Sequence, residues 1–327
     1  MTAKSTKARL SESPILFVSP FFLWGTAMVA MKATIPYTSP LFIGAFRLLP
    51  AGLLVLIVAA IQGREQPKTR LAWLWIGGFA VVDGFLFQGC LAEGLQRTGA
   101  GLGSVIIDSQ PLAVALLSRW LFAEVIGFWG WIGLFIGILG ISLIGLPVAE
   151  ILNHSAGQLA FPPLTWEAIV GSGEIWMLLA SLSMAVGTVM IRFVSKHTDP
   201  VIATGWHMIL GGLPLLLLSG LEVSEPWQHI PFEGWLGLGY TTVFGSAIAY
   251  GVFFFLAAKG NLTSLSSLTF LTPVFALSFG NLLLGEILEW WQWIGVSLTL
   301  VSIFLINQRE QLSQWLPAKV SSIDSEN

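Results

Sequence analysis

The chain has 327 residues, of which 55% are hydrophobic and 10% are charged, with a mean hydropathy of +0.79 and a formal net charge of −3. Soluble domains carry roughly 25% charged residues, so this composition excludes an ordinary soluble domain and indicates a chain embedded in lipid. The small negative charge gives no argument for nucleic-acid binding, and the single cysteine, Cys90, excludes an intramolecular disulfide.

The predicted helices begin directly after a short polar and basic leader, residues 1–13. No A-x-A-type cleavage site follows the first apolar segment, so we interpret it as an uncleaved helix and not as a secretory signal. A helix needs about 20 apolar residues to cross a bilayer, and ten segments come near this length. They are residues 14–33, 41–62, 72–94, 99–121 and 128–147 in the first half, and 174–195, 201–220, 235–257, 262–284 and 292–307 in the second.

A linker separates two groups of five predicted helices. It carries Pro162-Pro163 and Gly171-Ser172-Gly173 and is too short to form a domain. The expected organisation is a first five-helix repeat (1–147), the linker (148–173), a second five-helix repeat (174–310) and a cytoplasmic tail (311–327).

The two halves repeat each other. Proline, glutamate and Trp-Ile-Gly recur in one order and spacing, 162 positions apart, and a shift of 160 extends the match to the earlier helices. Chance is unlikely to place such residues in one register, so we interpret the halves as an internal duplication. The matches are Pro111 and Pro273, Glu124 and Glu286, and Trp131-Ile132-Gly133 and Trp293-Ile294-Gly295 at the first shift, and Pro40 and Pro200, Lys32 and Arg192, and Arg47 and His207 at the second.

The basic residues predict the orientation. With the N-terminus inside, twelve Lys and Arg fall on the cytoplasmic side, two on the opposite side, and Arg47 lies within a span. Both termini are then cytoplasmic. Because five helices per half is an odd number, the second half enters from the other face, and the repeat is predicted to be inverted. Inverted repeats are typical of secondary transporters, with a site near the bilayer midplane.

The repeated stretches resemble the EamA family of the drug/metabolite transporter superfamily. The resemblance covers about residues 15 to 307, and each half ends in the family's pattern of Pro, Glu and Trp-Ile-Gly. Residues 94–112 are similar to a branch shared by cyanobacteria and plant plastids. The resemblance implies ten helices, export or exchange of small metabolites such as amino acids, and a central cavity lined mainly by helices 1, 3, 4, 6, 8 and 9. The second half departs from symmetry, with His207 at the position of Arg47 and Phe270 at that of Asp108.

Two acids lie inside predicted spans. An Asp at a helix centre costs about 2.5–3.5 kcal/mol on insertion scales, so such residues usually face a cavity or a partner. Asp108, in helix 4, is either a site for a substrate amine or a proton, or half of an ion pair with Arg47 or another base. Asp83, in helix 3, is either a second cavity carboxylate, a proton relay with Asp108, or a buried acid satisfied by hydroxyls or Arg47.

Further polar and aromatic residues are candidates for the site. Arg47 either holds a substrate carboxylate or locks neighbouring helices together. Trp24 either offers its ring to an apolar or cationic group or only packs or lies in the interfacial belt. Pro111 and Pro273 free the carbonyls of Ile107 and Thr269, so each is either a hinge or a simple kink. The remaining candidates for substrate binding or coupling are Gln88, Gln110, Tyr250, Thr269 and Thr272.

These features predict a secondary carrier in the cell membrane that exports or exchanges a small amino-acid-like or other amphipathic metabolite. The expected partners are the substrate and the bilayer, with a homodimer left open. No nucleic acid, cofactor, metal or enzymatic activity is expected, because motifs such as HExxH and Walker loops are missing from the sequence. The alternative is a non-transporting membrane scaffold or sensor, and a lipid-modifying enzyme is disfavoured by the scattered histidines.

Overall fold

A computed structural model describes residues 14–32, 34–97, 106–145, 171–284 and 289–313, and these residues form helices and no strands. The prediction of an all-α fold is therefore confirmed for the described residues. The helices of the first half are α1 (Pro14–Lys32), α2 (Pro40–Ile61), α3 (70–97), α4 (Gln110–Phe122) and α5 (Gly127–Gly145). Those of the second half are α6 (Gly173–Val194), α7 (Pro200–Glu222), α8 (232–257), α9 (262–284), α10 (Trp290–Asn307) and the short α11 (Arg309–Ser313).

Seven helices in the described ranges are long and apolar enough to cross a membrane, namely α2, α3, α5, α6, α7, α8 and α10. Helices α1 and α9 contain shorter apolar stretches, Pro14–Ala30 and Leu262–Ala276. Many large apolar side chains point outward, among them Leu217 and Phe135, which are 71% and 65% exposed. So much exposed apolar surface is typical of a chain surrounded by lipid.

Two helices begin with the same local signal in the two halves. The Ser39 side chain accepts a hydrogen bond from the backbone N–H of Phe42, and the Asp199 side chain accepts one from that of Val201. A proline follows each cap, at the first helical position, where its missing N–H is not needed. The cap and the proline together explain why α2 and α7 start at equivalent residues.

Helices α3 and α8 each contain a π-helical segment near the middle. The segments are Ala80–Phe87 in α3 and Thr241–Ile248 in α8, each with eight residues. They lie at nearly equivalent places of the repeat. Such π segments widen a helix locally and are frequent at functional sites.

Helices α4 and α9 are interrupted just before their repeated prolines. Asp108 and Ser109 form a turn ahead of α4, and Leu268–Phe270 is a 3-10 turn within α9. Pro111 cannot donate to the Ile107 carbonyl and its ring clashes with it, which explains the break. The predicted span 99–121 placed Asp108 in the middle of a regular helix. In the structure Asp108 lies in a turn instead.

Some predicted features lie outside the described residues. They are the beginning of helix 4 (98–105), most of the linker (146–170), Glu286 (within 285–288) and the end of the tail (314–327).

The helices pack in matching pairs. Helix α2 packs on α7 and α5 on α10, while α1 contacts α8 and α9, and α6 contacts α3 and α4. In addition, α3 contacts α7, and α8 contacts α2. If α1 to α5 are matched with α6 to α10, each of these contacts has a counterpart. The packing therefore follows the repeat in the sequence.

Candidate functional site

A central cavity of about 100 Å³ lies between the two halves of the chain. Its lining residues come from α1, α2, α3, α6, α8 and α9 and from the segment 107–110 at the start of α4. Those are the helices that the family resemblance implies, with α2 added by Arg47. One water needs roughly 10–15 Å³ of free volume, so the cavity holds several waters or a small part of a metabolite.

Most of the cavity wall is apolar. The Trp24 and Tyr250 rings meet edge to face, with centroids 5.1 Å apart. Met28, Met177 and Met184 lie on the wall from α1 and α6. Methionines are flexible and polarizable, so this part of the wall adapts to apolar groups of different shape.

Three polar atoms at the cavity have no hydrogen-bond partner in the described residues. They are Trp24 Nε1, Gln110 Oε1 and Thr272 Oγ1. The first is a donor, the second an acceptor, and the hydroxyl is both. Leaving such buried groups unpaired costs about 1–3 kcal/mol each, so they favour the entry of a polar group that pairs with them.

The Gln110 side chain has a defined orientation. Its Nε2 donates to Thr188 Oγ1 at 3.0 Å, and that hydroxyl donates in turn to the Met184 carbonyl at 2.8 Å. The amide nitrogen is therefore engaged by α6. The amide oxygen remains as the acceptor at the cavity.

Arg47 lies at the cavity and is 7% exposed. Its Nε donates a hydrogen bond of 3.3 Å to Ser246 Oγ in the π segment of α8. The contact ties α2 to α8 and brings a guanidinium to the cavity. The contact with Ser246 is an interhelical one, as helix locking requires, and the binding of a substrate carboxylate by Arg47 stays a prediction.

Asp108 also lies at the cavity and is 7% exposed. The turn before α4 brings it there together with Ile107, whose carbonyl accepts a hydrogen bond of 3.4 Å from Ser181 Oγ. That serine replaces the N–H that Pro111 lacks, as expected for irregular backbone within a membrane protein.

The two candidate threonines on α9 differ in their hydrogen bonding. Thr269, Thr272 and Pro273 all line the cavity. The Thr269 hydroxyl donates to the Ser266 carbonyl at 2.8 Å, whereas that of Thr272 is unpaired. Pro111, the proline of α4, is buried but is not among the lining residues.

Gln88 lies behind the wall and positions a residue on it. Its Nε2 donates to the Tyr250 hydroxyl at 3.1 Å, and both side chains are buried. The bond joins α3 to α8 at equivalent positions of the repeat. Gln88 itself is not among the lining residues.

Asp83 is absent from the cavity lining, and its neighbour is a histidine of α7. Asp83 Oδ2 lies 3.2 Å from His207 Nε2, and both side chains are 1% exposed. The sequence pointed to hydroxyls or Arg47 as partners. His207 was not recognised as the partner of Asp83. The 160-residue shift makes it the equivalent of Arg47, which has the corresponding position on α2.

Glu124, which follows the end of α4, contacts the start of α9 and a basic residue of α6. Its carboxylate accepts hydrogen bonds from the backbone N–H groups of Leu262 and Thr263, at 3.1 and 3.3 Å, and from the Thr263 hydroxyl. Arg192 of α6 lies 3.2 Å from the same carboxylate and donates to the Gly260 carbonyl. Glu124 therefore caps α9 and holds α4, α6 and α9 together at one face.

Within the described ranges, no group of three or more His, Cys, Asp or Glu is arranged to hold a metal ion. The cavity offers hydrogen-bonding and charged groups.

Comparison with known proteins assigns the chain to a family. The model of the EamA-like transporter family matches it twice, at residues 13–146 and 171–308. The chain is 64% identical over 303 residues to an uncharacterized transporter of Synechocystis sp., covering 92% of this chain and 91% of that protein. It is 51% identical over 296 residues to a chloroplastic WAT1-related protein of Arabidopsis thaliana, covering 89% and 68%. The resemblance to cyanobacterial and plastid members is thus confirmed.

A solved crystal structure has the same fold. It superposes with a TM-score of 0.72 at 17% identity, over 89% of this chain and 94% of that one. At this identity the likeness concerns the fold alone. The two family matches, with the apolar helices and the cavity between the halves, show that this multi-pass membrane protein belongs to the EamA-like transporter family.

Proposed function

We propose that this protein is a secondary carrier that exports or exchanges a small amphipathic, amino-acid-like metabolite by alternating access. The observation that carries the proposal is the cavity between the halves, where an apolar wall surrounds Arg47, Asp108 and unpaired polar atoms. Ligand sites are typically apolar pockets with a few placed polar groups. Membership of a transporter family supports the same conclusion.

The charges at the cavity favour a zwitterionic or amphipathic substrate. Arg47 would hold a carboxylate through its fixed fork of donors, and Asp108 would receive an ammonium group. The apolar part of the substrate would lie against Trp24 and the methionines of α1 and α6. Gln110 Oε1 and Thr272 Oγ1 would take its remaining polar groups, which removes their unpaired state.

The proposed architecture has ten spans in two inverted five-helix repeats. The matching helix contacts support a two-fold relation between the halves, and the distribution of Lys and Arg supports cytoplasmic termini. The proposed location is the cell membrane.

Alternating access requires that contacts at each face form and break in turn. Under the proposed orientation, the cap that Glu124 places on α9 lies on the cytoplasmic face. Substrate would enter from that side only when α4 and α9 separate there. The breaks before Pro111 and Pro273 are places where these two helices would bend.

The test is counterflow exchange in proteoliposomes. Vesicles are loaded with unlabelled phenylalanine, threonine, lysine or glutamate, and uptake of the same labelled amino acid is measured. The proposal expects exchange of a zwitterionic probe above that of protein-free vesicles, and its loss in Asp108→Asn. Asp199→Asn is the matched control, since it removes the same charge away from the cavity and keeps a good helix cap. If no probe exchanges, while partner proteins remain bound in mild detergent, a scaffold is the better reading.

A further inference from the structure

The Asp83–His207 couple joins the middle of α3 to α7, behind the wall of the cavity. Asp83 belongs to the π segment of α3, and its carboxylate lies 3.2 Å from His207 Nε2. Both side chains are 1% exposed. A buried acid is expensive in a membrane protein, and such residues usually mark an ion path or a proton relay.

The hydrogen bonds of His207 define which atom meets the acid. His207 Nδ1 lies 2.6 Å from the Thr204 carbonyl, which can only accept, so Nδ1 carries a hydrogen. Nε2 is then the ring nitrogen whose hydrogen Thr204 does not fix, and it faces Asp83 Oδ2. One proton between these two atoms makes the couple neutral, whether it resides on nitrogen or on oxygen. Its removal leaves one buried negative charge.

Among the described residues, the second oxygen of Asp83 has no hydrogen-bond donor. Neither oxygen of this carboxyl makes a hydrogen bond by the usual geometric criteria, so the short contact to His207 is its polar neighbour among the described residues. On its other side, a Cβ added at Gly187 of α6 would come within 2.4 Å of Oδ1. Helix α6 thus packs directly on the carboxyl. The couple is therefore in contact with α3, α6 and α7, and a change in its charge alters the electrostatic energy at the contact of these three helices.

The backbone around the couple is equally close. A Cβ added at Gly84 would meet the His207 carbonyl at 2.7 Å, and one added at Gly211 would meet the Gly84 Cα at 2.5 Å. Helices α3 and α7 therefore cross at this point without intervening side chains. The proton therefore binds directly beside the point where the backbones of α3 and α7 touch.

A chain of aromatic rings connects the couple to the cavity wall. The Phe254 ring of α8 lies 5.5 Å from the His207 imidazole and 5.9 Å from the Tyr250 ring, between centroids. The Phe79 ring covers the imidazole at 4.2 Å between centroids. Helix α6 presents Gly187 to the couple and α7 presents the Thr204 carbonyl. Tyr250 is itself part of the cavity wall, so Phe254 stands between the wall and the couple.

The repeat shows that this couple is specialised. At His207's equivalent position α2 has Arg47, which bonds to Ser246, the equivalent of Gly84. A guanidinium does not give up its proton and a hydroxyl does not ionise in the physiological range. The first pairing therefore ties helices without titrating. In the other half, the pair joins a carboxyl group and an imidazole, and both of these side chains can bind and release a proton.

We propose that Asp83 and His207 form the proton-binding site that couples transport to proton movement. A proton from water on one side binds to form the Nε2–H or Oδ2–H bond. The same bond breaks when the proton leaves to water on the other side, so the protein is unchanged after one cycle. The inference rests on the proposed carrier function, and Arg47 and Asp108 keep the role of binding substrate.

The first test measures protons directly. Proteoliposomes with a trapped pH dye receive a gradient of a zwitterionic amino acid that the exchange assay has identified, and the change of internal pH is recorded. The wild type is expected to move protons with substrate. Asp83→Asn and His207→Gln are each expected to keep counterflow exchange, which needs no net proton movement, and to lose proton movement. Asp199→Asn is the control, and it should behave as the wild type.

The second test needs no substrate. Infrared spectra of the purified protein are recorded over a pH series, and Asp83→Asn is subtracted from the wild type. The proposal expects a carboxyl or imidazole band that titrates in the wild type and is missing in both variants. Asp83→Asn removes the acid and His207→Gln removes the base. If one of these variants misfolds, the other still tests the proposal.

The outcomes separate the two proposals. Exchange without proton movement in the wild type, or unchanged proton movement in both variants, overturns the proton site and leaves the carrier standing. Absence of exchange for every amino acid overturns the proposed function. In that case, an infrared difference spectrum that is independent of pH overturns the proton site as well, and a titrating band retains it as a proton-binding site.

Discussion

Gln88 Nε2 donates a hydrogen bond of 3.1 Å to the Tyr250 hydroxyl, and the two residues are 162 positions apart, which is the shift of the internal repeat. Equivalent positions of the two halves therefore bond to each other at the centre of the molecule. Such a contact is expected for the two-fold relation proposed between the halves. Tyr250 is also part of the cavity wall, so the bond lies beside the cavity.

The Gln88–Tyr250 bond is expected to stabilise the contact between α3 and α8. Interhelical hydrogen bonds in membranes contribute about 0.6 kcal/mol on average and up to about 1.7. A double-mutant cycle with Gln88→Leu and Tyr250→Phe, measured by unfolding in detergent, should give a coupling energy in this range. The control cycle pairs Gln88→Leu with Tyr240→Phe, whose hydroxyl bonds to Thr26. A coupling energy of zero in the first cycle contradicts the bond.

Asp108→Asn is expected to lower substrate affinity while the protein still folds. A hydrogen bond to a charged group contributes about 1.5–3 kcal/mol, so the apparent affinity for amine-bearing substrates should fall about 10- to 100-fold. Substrates without an amine should lose much less. The measurement is concentration-dependent exchange in proteoliposomes. An equal loss for both substrate types would place Asp108 in a purely structural role.

Glu124→Ala should open the face at which α4 meets α9. The variant leaves the N–H groups of Leu262 and Thr263 uncapped, and Arg192 loses its acid. A shift of one to two kcal/mol changes a two-state ratio by about 5- to 30-fold. The alkylation rate of Thr269→Cys, in a Cys90→Ser background, should rise by such a factor for an impermeant reagent added at that face.

A graded series sharpens the test of this cap. Glu124→Gln retains an acceptor but loses the charge, so its alkylation rate should lie between those of the wild type and Glu124→Ala. Glu65→Gln removes an exposed carboxylate paired with Lys68 and should change nothing. If Glu124→Ala alkylates at the wild-type rate, the cap does not control access.

Gly52→Ala is expected to destabilise the packing of α2 on α7. An added Cβ would lie 2.7 Å from the Gly205 carbonyl oxygen, whereas one added at Gly77 in α3 has no neighbour within 4 Å. Overpacking typically costs about 1–3 kcal/mol, but alanine at an unobstructed helical site gains up to about 1 kcal/mol. Melting in detergent should therefore be lowered by Gly52→Ala and unchanged or raised by Gly77→Ala. A reversed order would contradict the close crossing.

Much of the fold was predictable from the sequence. The apolar segments are long, and their ends carry local signals such as Ser39-Pro40 and Asp199-Pro200, so α2 and α7 begin within a residue of their predicted starts. The duplication was visible because proline, glutamate and Trp-Ile-Gly kept their register. Pro111 predicted a hinge or a kink, and the helix is broken just before it. The turn conformation of Asp108 was not predicted, because hydrophobicity alone made residues 99–121 one continuous span.

The candidate site was predictable in kind but not in its connections. Polar residues inside spans identified Arg47, Asp108, Gln110, Tyr250, Thr269 and Thr272, and these line the cavity together with Trp24. Asp83 and Gln88 were named on the same ground, yet both lie behind the wall. The sequence marks which side chains are costly in a membrane, since cost depends on the residue and its depth. It does not mark the partner that offsets the cost.

Composition assigned this chain to the membrane and the repeat indicated a duplication, because hydrophobicity and register are read directly from the order of residues. The family was indicated by the resemblance of the repeated motifs. The pairing of His207 with Asp83, of Arg47 with Ser246 and of Glu124 with the start of α9 came from the packing alone. Each joins residues more than 120 positions apart, and which of them meet depends on how helices cross, through contacts such as Gly84 on Gly211.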